Sequence, residues 1–546
     1  MAIAAVILLL SAVTYPGALL VSLATRLVPA PASTAGPKGE LAWLHVAHPA
    51  GALPYVADEQ GRMVILHAAT PASLLEFGGS PTNSIDPADY ANGQCPQQLP
   101  SSTYPPLCED DVSAMAALGF NAIRLPLSWS LLEPQREQFN TIYVERIAQI
   151  VDWARARHMY VIVDMHQNAY SHFVGAGPHV DLGSDSGAPQ WATVTDGFPS
   201  QVYSKQRELN PAVLEATTNF WYDRNGIQDE YISAVAHLAR RFRDDPAVAG
   251  FGVYNEPLLG WNLPPGFEDL LLFPFYRRVI DAITGARDGL PCWSGFFMPA
   301  PCGYRDLGVH DTRHLFFLDT GLLREVTDFP THLGMPLTSY PNVVLALHAY
   351  THIYTVDAIA LHQKASDATY PWDGYDQSYA SAVREAKAMA AALVVTEFSN
   401  NPTDDDLILK SQLLEQEKYR LGYAFWPWKE TGAGGWGLFN KDGCLRMSRD
   451  RLLARVYPQA TTDPNLTFHY DASTGAFTLR AIGHVRDFPT DIYIPAEVTG
   501  DVSSSGSVNV LSLDRPDGSR LVLAAPTGGP FTVVVAPAHL DLHGCT

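Results

Sequence analysis

"GFGVYNEPLLG", residues 250–260, sets an apolar, strand-like run directly against Asn-Glu-Pro. Gly250 to Tyr254 read as a buried strand, yet Asn255 and Glu256 belong to residue types that resist burial. Pro257 then stops the run from continuing as a paired ladder. A buried strand that ends by presenting a carboxylate has two readings. Either Glu256 works at the mouth of a pocket, or it caps a loop or pairs with an arginine, as a single structural glutamate does.

Working outward, short apolar runs like this one recur along the chain. Before it come "MVILH" (63–67), "NAIRL" (121–125) and "YVIVD" (160–164), and the run itself extends as "AGFGVY" (249–254). After it come "HLFFL" (314–318), "VVLAL" (343–347), "LVVT" (393–396) and "YAFW" (423–426). They lack the alternation of a one-sided sheet, as expected of parallel strands buried on both faces. Helical spacing fills the gaps: Ile147, Ile150, Val151 and Ala154 fall at i, i+3, i+4 and i+7, and so do Val235, Leu238, Ala239 and Phe242. Leu272, Phe275, Tyr276 and Val279 repeat the pattern. Strands alternating with helices predict an α/β fold, a (β/α)8 TIM barrel with long insertions over residues 40–460, with a doubly wound sheet as its competitor. Beyond it, "LTFHYD", "AFTLRAI", "TDIYIPA", "SVNVLSL", "SRLVLAA" and "FTVVVAP" alternate and are separated by Gly, Pro, Asp and Ser. They predict a C-terminal antiparallel β-sandwich over 461–546.

Composition narrows the class. An apolar share of 47% and a charged share of 17% over 546 residues describe a globular chain. The formal charge of -21, with no basic stripe to offset it, argues against nucleic acid or an anionic membrane surface as a partner. No charged side chain precedes Arg26, and residues 1–35 read as a signal peptide, cut after Ala32 or Ala35, or as an N-terminal membrane anchor. Either way the protein is expected outside the cell or at its surface. Six cysteines fit export, and close spacing suggests Cys95–Cys108 and Cys292–Cys302, leaving Cys444 with Cys545. None of the spacings resembles a zinc site.

In a barrel, functional groups collect after the C-terminal ends of the strands. Those positions hold Arg124, His166, Asn168, Asn255, Glu256, His348, Tyr350, Glu397 and Trp426. Each has a structural explanation when taken alone. Two glutamates from different strands, with an arginine and histidines between them, favour chemistry for Glu256. The reaction that needs two carboxyls is glycoside hydrolysis: one protonates the departing oxygen, the other attacks or directs water at the anomeric carbon.

These residues resemble glycoside hydrolase family 5: "NEP" after strand four, Glu after strand seven, and the Arg, His, His-x-Tyr and Trp positions. "SGAPQWATVTDG" (186–197), "GIQDEYISAVAHLARRF" (226–242), "RVYPQA" (455–460) and "FPTDIYIP" (488–495) resemble its endoglycoceramidase-related branch. The resemblance implies a retaining double displacement without a metal or other cofactor. By position, Glu397 would be the nucleophile and Glu256 the general acid/base. Asn255 would hold the sugar 2-hydroxyl, Arg124 and Tyr350 would position Glu397, His166 and His348 would line the sugar site, and Trp426 would stack under the ring. Two departures stand out. The branch carries His-Gln-Asp where this chain has His166-Gln167-Asn168, and the first strand lacks the usual Gly-Val-Asn and nearby lysine. The expected substrate is a glycosphingolipid, which implies transient contact with membranes or lipid micelles. The rivals are an endo-β-glucanase or other polysaccharide hydrolase, and a non-catalytic carbohydrate- or lipid-binding protein. An apolar ledge for the lipid is expected from Trp261 and Phe267 in "WNLPPGFEDLLLFPFY" (261–276) and from Phe297 in "CWSGFFMPAPC" (292–302).

Overall fold

A computed structural model describes residues 41–76, 85–95, 104–174, 186–200, 207–286, 305–327, 336–350, 375–399, 406–430, 436–440 and 443–538. The apolar leader, the 292–302 insertion with Phe297, and Cys545 lie outside them. Strands β1 (Leu44–Ala47), β2 (Tyr55–Asp58) and β3 (Met63–Val64) form an antiparallel ladder at the start of the described chain. Eight parallel strands then close a barrel: β4 (His67–Ala69), β5 (Ala122–Ser128), β6 (Tyr160–His166), β7 (Val248–Gly252), β8 (Leu315–Asp319), β9 (Val343–His348), β10 (Ala392–Phe398) and β11 (Gly422–Phe425). The fold is the expected TIM barrel, not a doubly wound sheet.

Each barrel strand has two buried faces. Ile123, Leu125, Val161, Val163, Phe316, Leu345 and Val395 pack outward in the large cluster shared with the helices. Ala122, Ile162, Leu315, Phe317, Val344, Ala346 and Val394 fill the lumen, together with Leu44, Val46 and Val56 from β1 and β2. That explains the unbroken apolar runs: both parities are core. The three helical patterns lie in Thr141–Arg155, Ile227–Phe242 and the helical stretch from Glu268 to Thr284, with every named apolar position buried.

The run "MVILH" requires a correction. Met63 and Val64 pair with Ala460 and Thr461 in the antiparallel sheet, and the barrel strand starts only at His67. Two elements meet within one apolar stretch, which carries no sequence mark at the switch.

Strands β12 (Tyr457–Thr461), β13 (Thr467–Asp471), β14 (Ala476–Gly483), β15 (Thr490–Ile494), β16 (Val502–Asp514) and β17 (Arg520–Val535) complete one nine-stranded antiparallel sheet with β1, β2 and β3. Hydrogen bonding runs through this sheet continuously, because β17 pairs with β15 through one end and with β14 through the other. Residues from both halves, including Ile492, Val522, Leu479 and Val533, share one apolar cluster. The sheet is thus built from both sides of the barrel in sequence, and β12 enters it before residue 461.

Barrel and sheet meet through buried tyrosines. Tyr457 donates to the Gly119 carbonyl (2.8 Å) and Tyr493 to that of Ala117 (2.6 Å). His67 is stacked between Tyr423 and Tyr457, with ring centroids 4.0 and 3.6 Å away. Cys95 and Cys108 are bridged, with Cα atoms 5.3 Å apart. Cys444 is disulfide-bonded as well, and its expected partner lies outside the described residues.

Candidate active site

Alternation along the barrel strands aims every second side chain into the lumen. On β5 this brings Arg124 in, two residues after lumen-facing Ala122, and on β6 it brings in Asp164 and His166 after Ile162. Asp319 on β8 and His348 on β9 follow the same parity from Phe317 and Ala346. Glu397 does not. Counting from lumen-facing Val394, strict alternation would send it toward the helices, but the β10 register slips between Val394 and Glu397 against β9, and between Val395 and Phe398 against β11. A slip of one residue changes the face a side chain points to. Here it turns Glu397 onto Arg124.

Arg124 is the hub. Its Nη1 donates to Glu397 Oε2 (2.5 Å), its Nη2 donates to Asn255 Oδ1 (2.6 Å), and Nη2 lies 3.0 Å from Asp164 Oδ2. The side chain is 1% exposed, so these charge pairs act in a low dielectric. Gly252 makes room for Asp164, since a Cβ there would run into its carboxylate. Tyr350 donates to the other oxygen of Glu397 (2.9 Å). Both oxygens of Glu397 are therefore oriented by donors.

Glu256 sits one residue past Asn255, with a left-handed backbone (φ 43°) and a side chain 19% exposed. His348 Nδ1 lies 3.0 Å from its Oε1. Burial raises the Glu256 carboxyl above the ordinary range, as an acid that must hold a proton requires. Burial also lowers His348 to about 3, so this imidazole is neutral. One oxygen each of Glu256 and Glu397 and one His348 nitrogen lie within 4.8 Å of one another. His348, Asp319 and Glu325 form a second such group. Their atom types could ligate a divalent cation, though the Arg124 charge beside Glu397 opposes one there.

His166 is buried, with Nδ1 3.1 Å from Asp164 Oδ2, and its ring lies parallel to that of Trp426, centroids 5.4 Å apart. Asp164, despite burial that works the other way, is held below the usual carboxylate range by Arg124 and His166. Asn168 reaches His166 Nε2 only at 3.4 Å and pairs through its backbone with Ser186, placing "SGAPQW" against the site.

The site thus brings together all nine expected strand-end residues. It also contains groups the strand-end reading passed over: Asp164, Gln167, Asp319, Glu325 and Trp436. Asp164 was within reach, as it shares the parity of His166 on the same strand. Trp436, in "GAGGWG" (432–437), a stretch whose sequence reads as a loop over the active-site rim, lies edge-on to Tyr350 with centroids 6.2 Å apart.

The lipid ledge needs correction. Phe267 is 3% exposed and packs edge-on against Trp221, centroids 5.1 Å apart, so it is core. Trp261 is 47% exposed beside Phe198, and Leu263 is 56% exposed. Phe297 lies outside the described residues.

Residues 92–287 match the family model for cellulase (glycosyl hydrolase family 5). Endoglycoceramidase I of Rhodococcus hoagii (strain 103S) is 26% identical over 495 residues, covering 88% of this chain and 86% of that protein. A crystal structure of an endogalactoceramidase superposes with a TM-score of 0.68 at 27% identity, covering 91% of this chain and all of that one (100%). The fold is shared with endo-glycoceramidase II from Rhodococcus sp., solved as a lactosyl-enzyme intermediate, at a TM-score of 0.67 and 24% identity, with 89% and 99% of the two chains covered.

Proposed function

We propose that the chain is an O-glycosyl hydrolase of glycoside hydrolase family 5, in its endoglycoceramidase-related branch, and that it cleaves the β-glycosidic bond of glycosphingolipids with retention. The observation that carries the mechanism is the pair of carboxyls. Oxygens of Glu256 and Glu397 within 4.8 Å suit the separation of about 5–5.5 Å used for direct attack, and leave too little room for the water of an inverting enzyme. Glu397, oriented by Arg124 and Tyr350, attacks the anomeric carbon while Glu256 gives its proton to the departing ceramide oxygen. Glu256 then takes a proton from water, which releases the sugar from Glu397. Asn255, fixed by Arg124, faces the position of the 2-hydroxyl, with His166 and Trp426 along the sugar.

Glu397→Gln should abolish turnover while leaving the fold intact, and a fluorinated mechanism-based sugar should label Glu397. Labelling at Glu256 would reverse the roles, and an inverted anomeric product by NMR would remove the double displacement. A polysaccharide substrate is the second reading, favoured by the burial of Phe267, which shortens the apolar surface left for a lipid. Rates on glucosylceramide, galactosylceramide, gangliosides and cellulose oligomers decide between them. Export fits the bridged Cys95–Cys108 pair, since disulfides persist in oxidising compartments. We assign residues 1–35 to a signal peptide or anchor, the chain between β3 and β12 to the barrel, and β1–β3 with β12–β17 to the sheet.

A further inference from the structure

The backbone of Glu256 is held from both sides. Its φ of 43° lies in the left-handed region, which costs any residue but glycine and persists only where the surroundings impose it. On one side, Asp319 at the end of β8 accepts the Glu256 N–H through Oδ2 (3.0 Å). On the other, Gln167 just past β6 donates from one Nε2 to the carbonyls of both Asn255 and Glu256 (2.8 Å each). The clamp is itself fixed. Gln167 Oε1 accepts from Tyr170 N–H (2.7 Å), and Gly187 (φ 128°) lets its segment press against Gln167, where a Cβ would come within 2.7 Å of the glutamine Cβ. The Asp319 carbonyl accepts from Tyr276 (2.7 Å), and its Oδ2 lies 3.3 Å from His348 Nε2, whose other nitrogen meets the Glu256 carboxyl.

We infer that Gln167 and Asp319 are positioning residues for the acid/base: together they fix the strained peptide that aims Glu256 at the leaving group. The inference rests on the hydrolytic reading above. A relaxed backbone swings the Glu256 carboxyl away from the glycosidic oxygen and leaves Glu397 in place, because Glu397 is held by a separate set of donors. Loss of the clamp therefore reproduces the kinetic signature of losing Glu256, not that of general damage.

Gln167→Glu keeps an acceptor for Tyr170 N–H and removes both donated bonds. Asp319→Ala removes the acceptor, while Asp319→Asn keeps one. Each variant is assayed on glucosylceramide, a poor leaving group, and on an activated aryl β-glucoside, with and without azide. The expected loss for Gln167→Glu and Asp319→Ala is about 100-fold on the glycolipid and less than about tenfold on the aryl glycoside, with azide accelerating the latter. Asp319→Asn stays within about tenfold of wild type on both, since its amide oxygen still accepts the N–H. Equal losses on the two substrates, or Asp319→Asn as impaired as Asp319→Ala, would overturn the assignment. A wild type inactive on both substrates removes the hydrolytic reading itself and the assignment with it.

Discussion

Glu256 must keep a proton in the resting enzyme and remain reachable by substrate, and its surroundings meet both demands through partial burial. Because burial raises its carboxyl, activity should fall as pH rises through that elevated value, and Glu256→Ala should lose this basic limb. The same variant should lose far more rate on glycolipids than on activated aryl glycosides, and azide should partly restore it by replacing the deglycosylating water. Comparable losses on both substrates, without an azide effect, would sink the role. Crowded carboxyls also carry a stability cost. Burial holds Glu325 well above the ordinary range, reinforced by Glu256, Asp319 and Glu397. Above about pH 4.3 the folded protein keeps a proton there that the unfolded chain has lost, so this group's contribution to stability falls with rising pH. Glu325→Gln removes that slope. Its melting temperature relative to wild type should therefore be more favourable at pH 7 than at pH 4, and a difference that does not change with pH would refute the argument.

At the scale of elements, the helix that follows the "NEP" turn separates packing from recognition. Phe267 fills core space against Trp221, so Phe267→Ala should cost about 3–5 kcal/mol of stability and lower all activities in parallel. Trp261 holds only a surface position, with its Nε1 on Glu215 (2.9 Å). Trp261→Ala should leave the melting temperature within a degree or two and raise KM for long-chain glycolipids alone; a parallel rise for small aryl glycosides would take Trp261 out of lipid recognition. Phe267 and Trp261 sit in one apolar stretch, and hydrophobicity alone cannot say which of them faces water. The barrel itself was legible because its strands are apolar on both faces, and the strand-end residues were legible because topology gathers them at one rim. The aim of Glu397 was not legible. It depends on a register slip in β10 that two neighbouring strands impose and that "LVVTEF" does not announce. Asp319 was hidden differently, as the last residue of "HLFFLD", where an acidic strand end reads as a turn.

The whole molecule is tied together by a sheet that both flanks of the barrel build. Strands β1–β3 precede the first barrel strand and β12–β17 follow the last, so the sheet cannot form without bringing the two ends of the barrel together. Tyr457 and Tyr493 fasten it to the barrel at Gly119 and Ala117, and Gly119 (φ 94°) is required there because a Cβ would lie 2.5 Å from the Tyr493 ring. Glu417, from a barrel helix, accepts from Tyr470 N–H (3.2 Å) on β13 and also pairs with Arg455 and His469. Independent domains unfold in separate steps, whereas a shared interface of this kind couples them. Calorimetry of the full chain should show one transition with calorimetric and van't Hoff enthalpies in agreement. A chain cut to residues 65–460 loses β15, which pairs with β12 at Tyr457, and the β1–β2 residues that close the lumen, and should not fold on its own. The double variant Tyr493→Phe, Glu417→Gln keeps the cores and weakens the fastening, so it should broaden or split the transition. Two resolved transitions in the wild type, or a cooperatively folded 65–460 fragment, would show that barrel and sheet are separable.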